Sequence, residues 1–382
     1  MSRIIYLSLV AAAVAASGQD TNLPPGATTS ALPTAPTNAV TASADELVET
    51  GMQLMREQKY AGAAEYLQRA VQTRPLSFEI QNQLGIALVQ MGRQALSLDQ
   101  RLQFYQQAAG KFSRSAELNP TNKTTQLFWG DLLLLIGDMP VDGRVRLGCY
   151  QGAVMKCQRA AQLDPKDWET LNKWGVILST KLPDFAVDDK ARIQLYKEAA
   201  QHFATAAQSA RFSSEIGPLY SNWGSALVRA ARLATNPEEK TQLLSEAIAK
   251  FEASGRALPN YATTYSNWGN ALIERGKLSR LRSDFRDGID RLNTATSLNP
   301  KDSATFYSLA RAYAILGNNV MAIHTLRELK ALDQSSPMLS DATRDPDFSP
   351  LSQDREFLEL TNPNGGRGLP FSNPPLRNLP SN

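Results

Sequence analysis

The dipeptide Trp-Gly returns along this chain at a near-fixed interval, as Trp129-Gly130, Trp174-Gly175, Trp223-Gly224 and Trp268-Gly269. Gly51, Gly85 and Ala310 hold the same place without the tryptophan, and the steps between consecutive small residues are 34, 45, 45, 49, 45 and 41. Self-similarity at such periods belongs to stacked-repeat architectures, in which each unit buries its apolar face only against its neighbours. A chain of this kind builds a long surface rather than an enclosed reaction pocket, so function is expected on the surface.

The pattern inside a unit is helical. In residues 44–77, Leu47, Gly51 and Leu54 share one helix face, and after a turn at Gln58-Lys59 a second face carries Tyr60, Ala63, Leu67 and Ala70. Gly51 and Ala63 let two helices of a hairpin approach, Ala70 admits the next hairpin, and Pro75 ends the second helix. The run Leu47, Gly51, Leu54, Tyr60, Ala63, Leu67, Ala70, Pro75 resembles a 34-residue tetratricopeptide repeat. The later units resemble it in an extended form, with Phe112, Phe203 and Phe251 among the second-helix residues and Pro120, Pro165, Pro259 and Pro300 at the ends. The fold class expected is all-α, a tetratricopeptide-like α-solenoid of about seven helix hairpins over residues 44–335. A segment at 336–361, with Phe348, Leu351 and Phe357, resembles the closing element that covers the open face of such arrays.

The middle units exceed the family length by 11 residues, almost three helical turns, and the extra chain is expected to lengthen both helices around their connecting loop. Asn236-Pro237-Glu238-Glu239, Asp188-Asp189 and Asp142 offer helix starts there.

Residues 1–18 read as a secretory signal peptide: Arg3, an apolar run from Ile4 to Ala16, then the small residues Ser17 and Gly18. The expectation is export to a periplasm, an organelle lumen or the exterior; the alternative is anchorage by this N-terminal run. Residues 19–43 and 362–382, rich in Pro, Ser, Thr, Gly and Asn, are expected to be a disordered linker and tail. A net charge of +3 does not argue for nucleic acid. The mature chain holds no second apolar run long enough for stable membrane insertion.

Reaction chemistry is not legible. There is no phosphate-binding Gly loop after a strand, no nucleophile–base–acid arrangement and no metal-ligand cluster, so no enzyme activity, cofactor or metal is expected and a small-molecule ligand is not favoured. His202 and His324 are read as solvent-facing residues of second helices. Cys149 and Cys157 lie eight residues apart on one helix, too far to bridge, and Cys157 is read as a buried small hydrophobe. Asn122-Lys123-Thr124 is a glycosylation sequon in a turn between units. The tryptophans are read as packing residues between hairpins, with exposed rings for carbohydrate stacking as the alternative.

The resemblance implies that first-helix surfaces line a concave groove. Positions two before and one after each small residue therefore become candidates for partner binding: Lys173, Asn222, Asn267, Asn270 and Arg311. Asn carries a donor and an acceptor suited to an extended peptide backbone. Asn222 and Asn267 resemble part of an asparagine ladder, whereas Val48 and Met52 stand where a chaperone-tail carboxylate clamp would begin. A basic run, Arg275, Lys277, Arg280, Arg282, Arg286 and Arg291, suggests an acidic partner. The expected function is a non-enzymatic scaffold or adaptor for another protein or extended peptide. An organelle import receptor similar to the plant-type outer-membrane receptor, or an accessory subunit of an enzyme complex, are the alternatives.

Overall fold

The computed structural model describes residues 42–361; the signal peptide, most of the linker and the tail assigned above lie outside them. The described residues form helices and turns with no strand, and they divide into two compact units, 42–212 and 213–361.

The first unit holds four hairpins: α1 (Ala44–Arg56) with α2 (Tyr60–Thr73), α3 (Phe78–Gln94) with α4 (Leu98–Leu118), α5 (Lys123–Gly137) with α6 (Gly143–Leu163), and α7 (Trp168–Thr180) with α8 (Asp189–Ser209). The second unit holds three: α9 (Ser213–Leu233) with α10 (Pro237–Ala257), α11 (Ala262–Ser279) with α12 (Arg282–Leu298), and α13 (Ser303–Ile315) with α14 (Asn319–Leu332). It closes with α15 (Pro337–Asp341), a 3-10 turn (Pro346–Leu351) and α16 (Arg355–Thr361). Within each unit the second helix of a hairpin packs on the first helix of the next, and successive first helices also touch, α1 with α3 and α3 with α5, then α9 with α11 and α11 with α13. First helices therefore run side by side, α1, α3 and α5 in the first unit and α9, α11 and α13 in the second.

Local chemistry fixes the ends. Ser43, at the end of the assigned linker, makes a capping box with Glu46. Asp142, Asp188 and Asn236 accept backbone N–H groups at the starts of α6, α8 and α10, where the sequence places them. Asn122, the sequon asparagine, caps α5 by accepting from the N–H of Thr125 on its Oδ1.

The extra length is distributed unequally. Helices α4, α6, α8 and α10 each run 21 residues against 14 in α2 and α14. The first helices vary from 13 residues in α1 to 21 in α9. The second helix thus gains two turns in four hairpins and three residues in α12, which runs 17, and the first helix and its loop absorb a variable remainder.

Two layers of contact hold the long hairpins. In the first, a side chain from the second helix lies over the repeat glycine: a methyl group placed on Gly85, Gly175 or Gly224 would stand 2.6, 2.7 and 2.7 Å from Phe112, Phe203 and Phe251. The second layer lies seven residues further toward the loop. Tyr105 covers Gly92, Tyr150 covers Gly137 and Phe285 covers Gly276. Heptad spacing keeps both layers on the same seam of a helix pair. Buried hydroxyls fasten one hairpin to the next. Ser115 donates to the Phe78 carbonyl (3.0 Å) and pairs with Thr125, which also accepts from Asn82. Ser254 donates to the Gly217 carbonyl (2.6 Å) and pairs with Thr264.

Cys149 and Cys157 are buried and unbridged, and burial pushes both thiols up to about 12. That leaves them inert as nucleophiles near neutral pH. In the second unit Phe348, Leu351 and Phe357 are buried against Ala310, Ala314, Leu326 and Leu329.

Candidate functional site

Each repeat tryptophan has a basic side chain on its ring, supplied by the second helix of its own hairpin. Lys156 Nζ lies 3.5 Å from the ring centre of Trp129, Lys250 Nζ 3.7 Å from Trp223, and Arg291 Cζ 4.1 Å from Trp268. His202 stacks on Trp174 at 3.9 Å and 26°. All four immediately precede the large side chain of the first contact layer, or Cys157 in its place. The Lys and Arg heads lie over the indole face, an arrangement that suits a cation over an aromatic quadrupole, whereas His202 stacks ring on ring. One face of each ring is covered in this way, which leaves less of it for stacking on a sugar.

His202 is therefore not solvent-facing: its side chain is 18% exposed because Trp174 lies against it, whereas His324 is 54% exposed beside Glu328. Burial lowers the pKa of His202, and burial alone lowers Lys156 to about 8. A depressed folded pKa means the unfolded chain takes up this proton first on acidification. The stability tied to His202 is thus present above pH ~6.5 and is lost as pH falls through the lowered folded value. A melting series from pH 7.5 to 5 should show a downward slope that flattens in His202→Gln. An unchanged slope would show that His202 contributes nothing to it.

The candidate partner-binding residues all lie on first helices. In the first unit Lys173 of α7 reaches back to Asp131 of α5 (2.5 Å). In the second unit Asn267 of α11 donates from Nδ2 to Ser225 of α9 (3.2 Å). Both pairs join the position two before one small residue to the position one after the preceding one, and both span 42 residues of sequence. The candidates thus form rungs between neighbouring first helices. Asn222 holds the corresponding place on α9 and is half-buried.

At the end of the row Arg311 of α13 approaches Asn270 Oδ1 (3.5 Å) and Glu274 (3.9 Å) of α11. Sequence reasoning missed the groups that meet it there. Asp347 of the 3-10 turn pairs with Lys277 and stands 3.5 Å from Arg311 Nε, while Tyr307 donates to Asp345 (2.9 Å). Half of the basic run is occupied: Arg275 grips buried Asp284 through two contacts of 2.8 and 2.9 Å, Arg291 covers Trp268, and Lys277 holds Asp347. Arg280, Arg282 and Arg286 remain exposed. Among the described residues no His, Cys, Asp or Glu cluster has the makings of a metal site.

No family model matches the sequence, and no curated protein matches it. Solved structures do. The C-terminal part of a tetratricopeptide-containing protein from Cytophaga hutchinsonii is 13% identical with a TM-score of 0.53, covering 76% of this chain and 96% of its own. A tetratricopeptide protein from Parabacteroides merdae is 12% identical with a TM-score of 0.45, over 83% of this chain and 98% of its own. YrrB, a tetratricopeptide protein with an unusual peptide-binding site, is 16% identical with a TM-score of 0.41, over 61% and 98%. At such identities the likeness speaks for fold, and with the paired helices, the glycine crossings and the first-helix rows it establishes that this chain has the all-α fold of the tetratricopeptide repeats.

Proposed function

We propose that this protein is a non-enzymatic scaffold or adaptor that holds another protein, or an extended peptide, on the first-helix rows of its hairpins. The observation that carries the reading is the register of polar groups. Lys173, Asn222, Asn267, Asn270 and Arg311 recur at equivalent offsets on first helices and remain partly exposed, while the ordinary second-helix contacts are consumed by packing. Side chains spaced in this way suit a partner whose own backbone groups repeat along its length.

The N-terminal apolar run supports delivery through a secretory signal. Among the described residues no helix is long and apolar enough to cross a membrane. Determining the mature N-terminus tests the export reading: a start near Ser17 to Gln19 supports it, and retention of Ile4 to Ala16 favours an anchor instead.

Affinity capture with the mature chain at mild salt supplies the partner for the main test. Asn222→Ala with Asn267→Ala should keep the fold and lower the melting temperature only modestly, because Asn267 gives up its hydrogen bond to Ser225, worth about 0.5–1.5 kcal/mol. Affinity should fall, since each lost hydrogen bond to a peptide is worth about 0.5–1.5 kcal/mol. If the double variant binds as tightly as the parent while Arg256→Ala, on an exposed second-helix face, abolishes binding, the functional surface lies on the opposite side.

A further inference from the structure

Arg311 is a half-buried guanidinium with poorly matched acceptors. Its side chain is 20% exposed, and its nearest polar neighbours are Asn270 and Asp347 at 3.5 Å and Glu274 at 3.9 Å. Its Nε is buried and makes no hydrogen bond. A guanidinium presents a planar fork of five donors that fits a carboxylate through two parallel bonds of about 2.7–2.9 Å. Arg275, on the neighbouring first helix, shows that fit with Asp284. Asp347 does not reproduce it at Arg311. Its position is set by the buried Phe348 and Leu351 of the same 3-10 turn, and its close contact goes to Lys277.

We propose that Arg311, flanked by Asn270 and Lys277, is a subsite for an acidic side chain of a peptide partner, contested in this structure by the chain's own Asp347. The inference rests on the first-helix reading above and names the ligand chemistry at the end of that row in the second unit. Two cations stand here with Glu274 and Asp347, and Asp345, held by Tyr307, adds a third carboxylate nearby, so the positive charge is more than offset in cis. An incoming carboxylate meets the repulsion of Asp347 while it gains the Arg311 fork. Neutralising Asp347 removes the competitor and leaves the turn anchored through Phe348.

The test uses the full chain and a fluorescein-labelled peptide, four repeats of Asp-Gly-Ser, with a matched peptide carrying Asn for Asp. Binding is read by fluorescence anisotropy at low and moderate salt. Asp347→Asn should tighten the acidic peptide on the order of tenfold, because a like charge beside a carboxylate site is costly. Arg311→Met should abolish that binding in both backgrounds, and Arg311→Lys should recover only part of it, since it restores charge without the fork. The Asn peptide should ignore every change. Equal affinity of the parent and Asp347→Asn, or acidic-peptide binding that survives Arg311→Met, overturns the proposal. Helicity and melting temperature of each variant are measured alongside, and Asp347→Ala gives a second neutral variant if the asparagine disturbs the turn. Asn222 and Asn267 are outside this subsite. If their double variant still weakens the captured partner while the acidic peptide is indifferent to Asp347 and Arg311, the subsite falls and the first-helix reading stands.

Discussion

Replacing Gly224 by leucine is expected to cost about 3 kcal/mol or more, the upper range for overpacking a tight helix crossing. The first added carbon would lie 2.7 Å from Cε1 of Phe251 and 2.9 Å from two further ring atoms. The ring is fully buried, so it can withdraw only by displacing its neighbours. The gain in helix propensity over glycine, about 1 kcal/mol, does not offset this. Gly110 on α4 supplies the control, since a methyl group there meets nothing within 4 Å. Gly110→Ala should therefore stabilise by up to about 1 kcal/mol. Chemical denaturation of the two variants checks both signs at once. Equal midpoints would remove the glycine crossing as the organising contact of the repeat. A further variant, Gly224→Ala with Phe251→Leu, should recover part of the loss by trading a ring edge for a smaller group.

Breaking the pair between Arg275 and Asp284 ranks second. Asp284 is 5% exposed, and Arg275 meets it with both arms of the fork. The hydrogen bonds to Asp284 raise the pKa of Arg275 further above its usual value. Arg275→Met leaves a carboxylate buried without its partner, and losses of roughly 3 kcal/mol are typical of such a cut. Arg275→Met with Asp284→Leu should restore most of the stability, because an apolar pair of similar volume escapes the desolvation penalty. A double variant no more stable than Arg275→Met would show that the pair's role is geometric, tying α12 to α11 in a way that packing cannot replace.

The fold was legible in the sequence wherever one residue type answered one steric need. The small residue at each crossing recurs in register, and at Gly85, Gly175 and Gly224 a Phe answers it from the second helix, whereas Leu67 and Leu292 face Gly51 and Gly269. The second layer was equally present, with Gly92, Gly137 and Gly276 each seven residues after a repeat glycine, yet it went unread. An isolated Gly or Tyr in a helix carries little signal until its partner across the hairpin is known. The cations over the tryptophans were hidden for a related reason. Lys156, Lys250 and Arg291 look like solvated surface residues, and nothing in a linear pattern shows that each stem lies along an indole. For the candidate site, the offsets were readable and the rungs between them were not, since each joins residues 42 apart. Asp347 was the hardest to foresee. It reaches Lys277 across 70 residues, through a capping turn that the sequence marks as a closing element without a sign of that pairing.

The seven-residue offset between the two contact layers makes the hairpin a graduated rod. One heptad moves along the seam of a helix pair and returns to the same face, so length can be added or withdrawn at the loop end without turning the opposite end. The first hairpin stops at one graduation, with 14 residues in α2, and its neighbour continues to the next, with 21 in α4. The rows of Asn, Lys and Arg on the first helices therefore keep their register while the far edge changes length. An engineer wishing to shorten one hairpin would remove a whole heptad from its second helix, with a matching cut in the first helix and loop, and expect the first-helix row to stay in alignment.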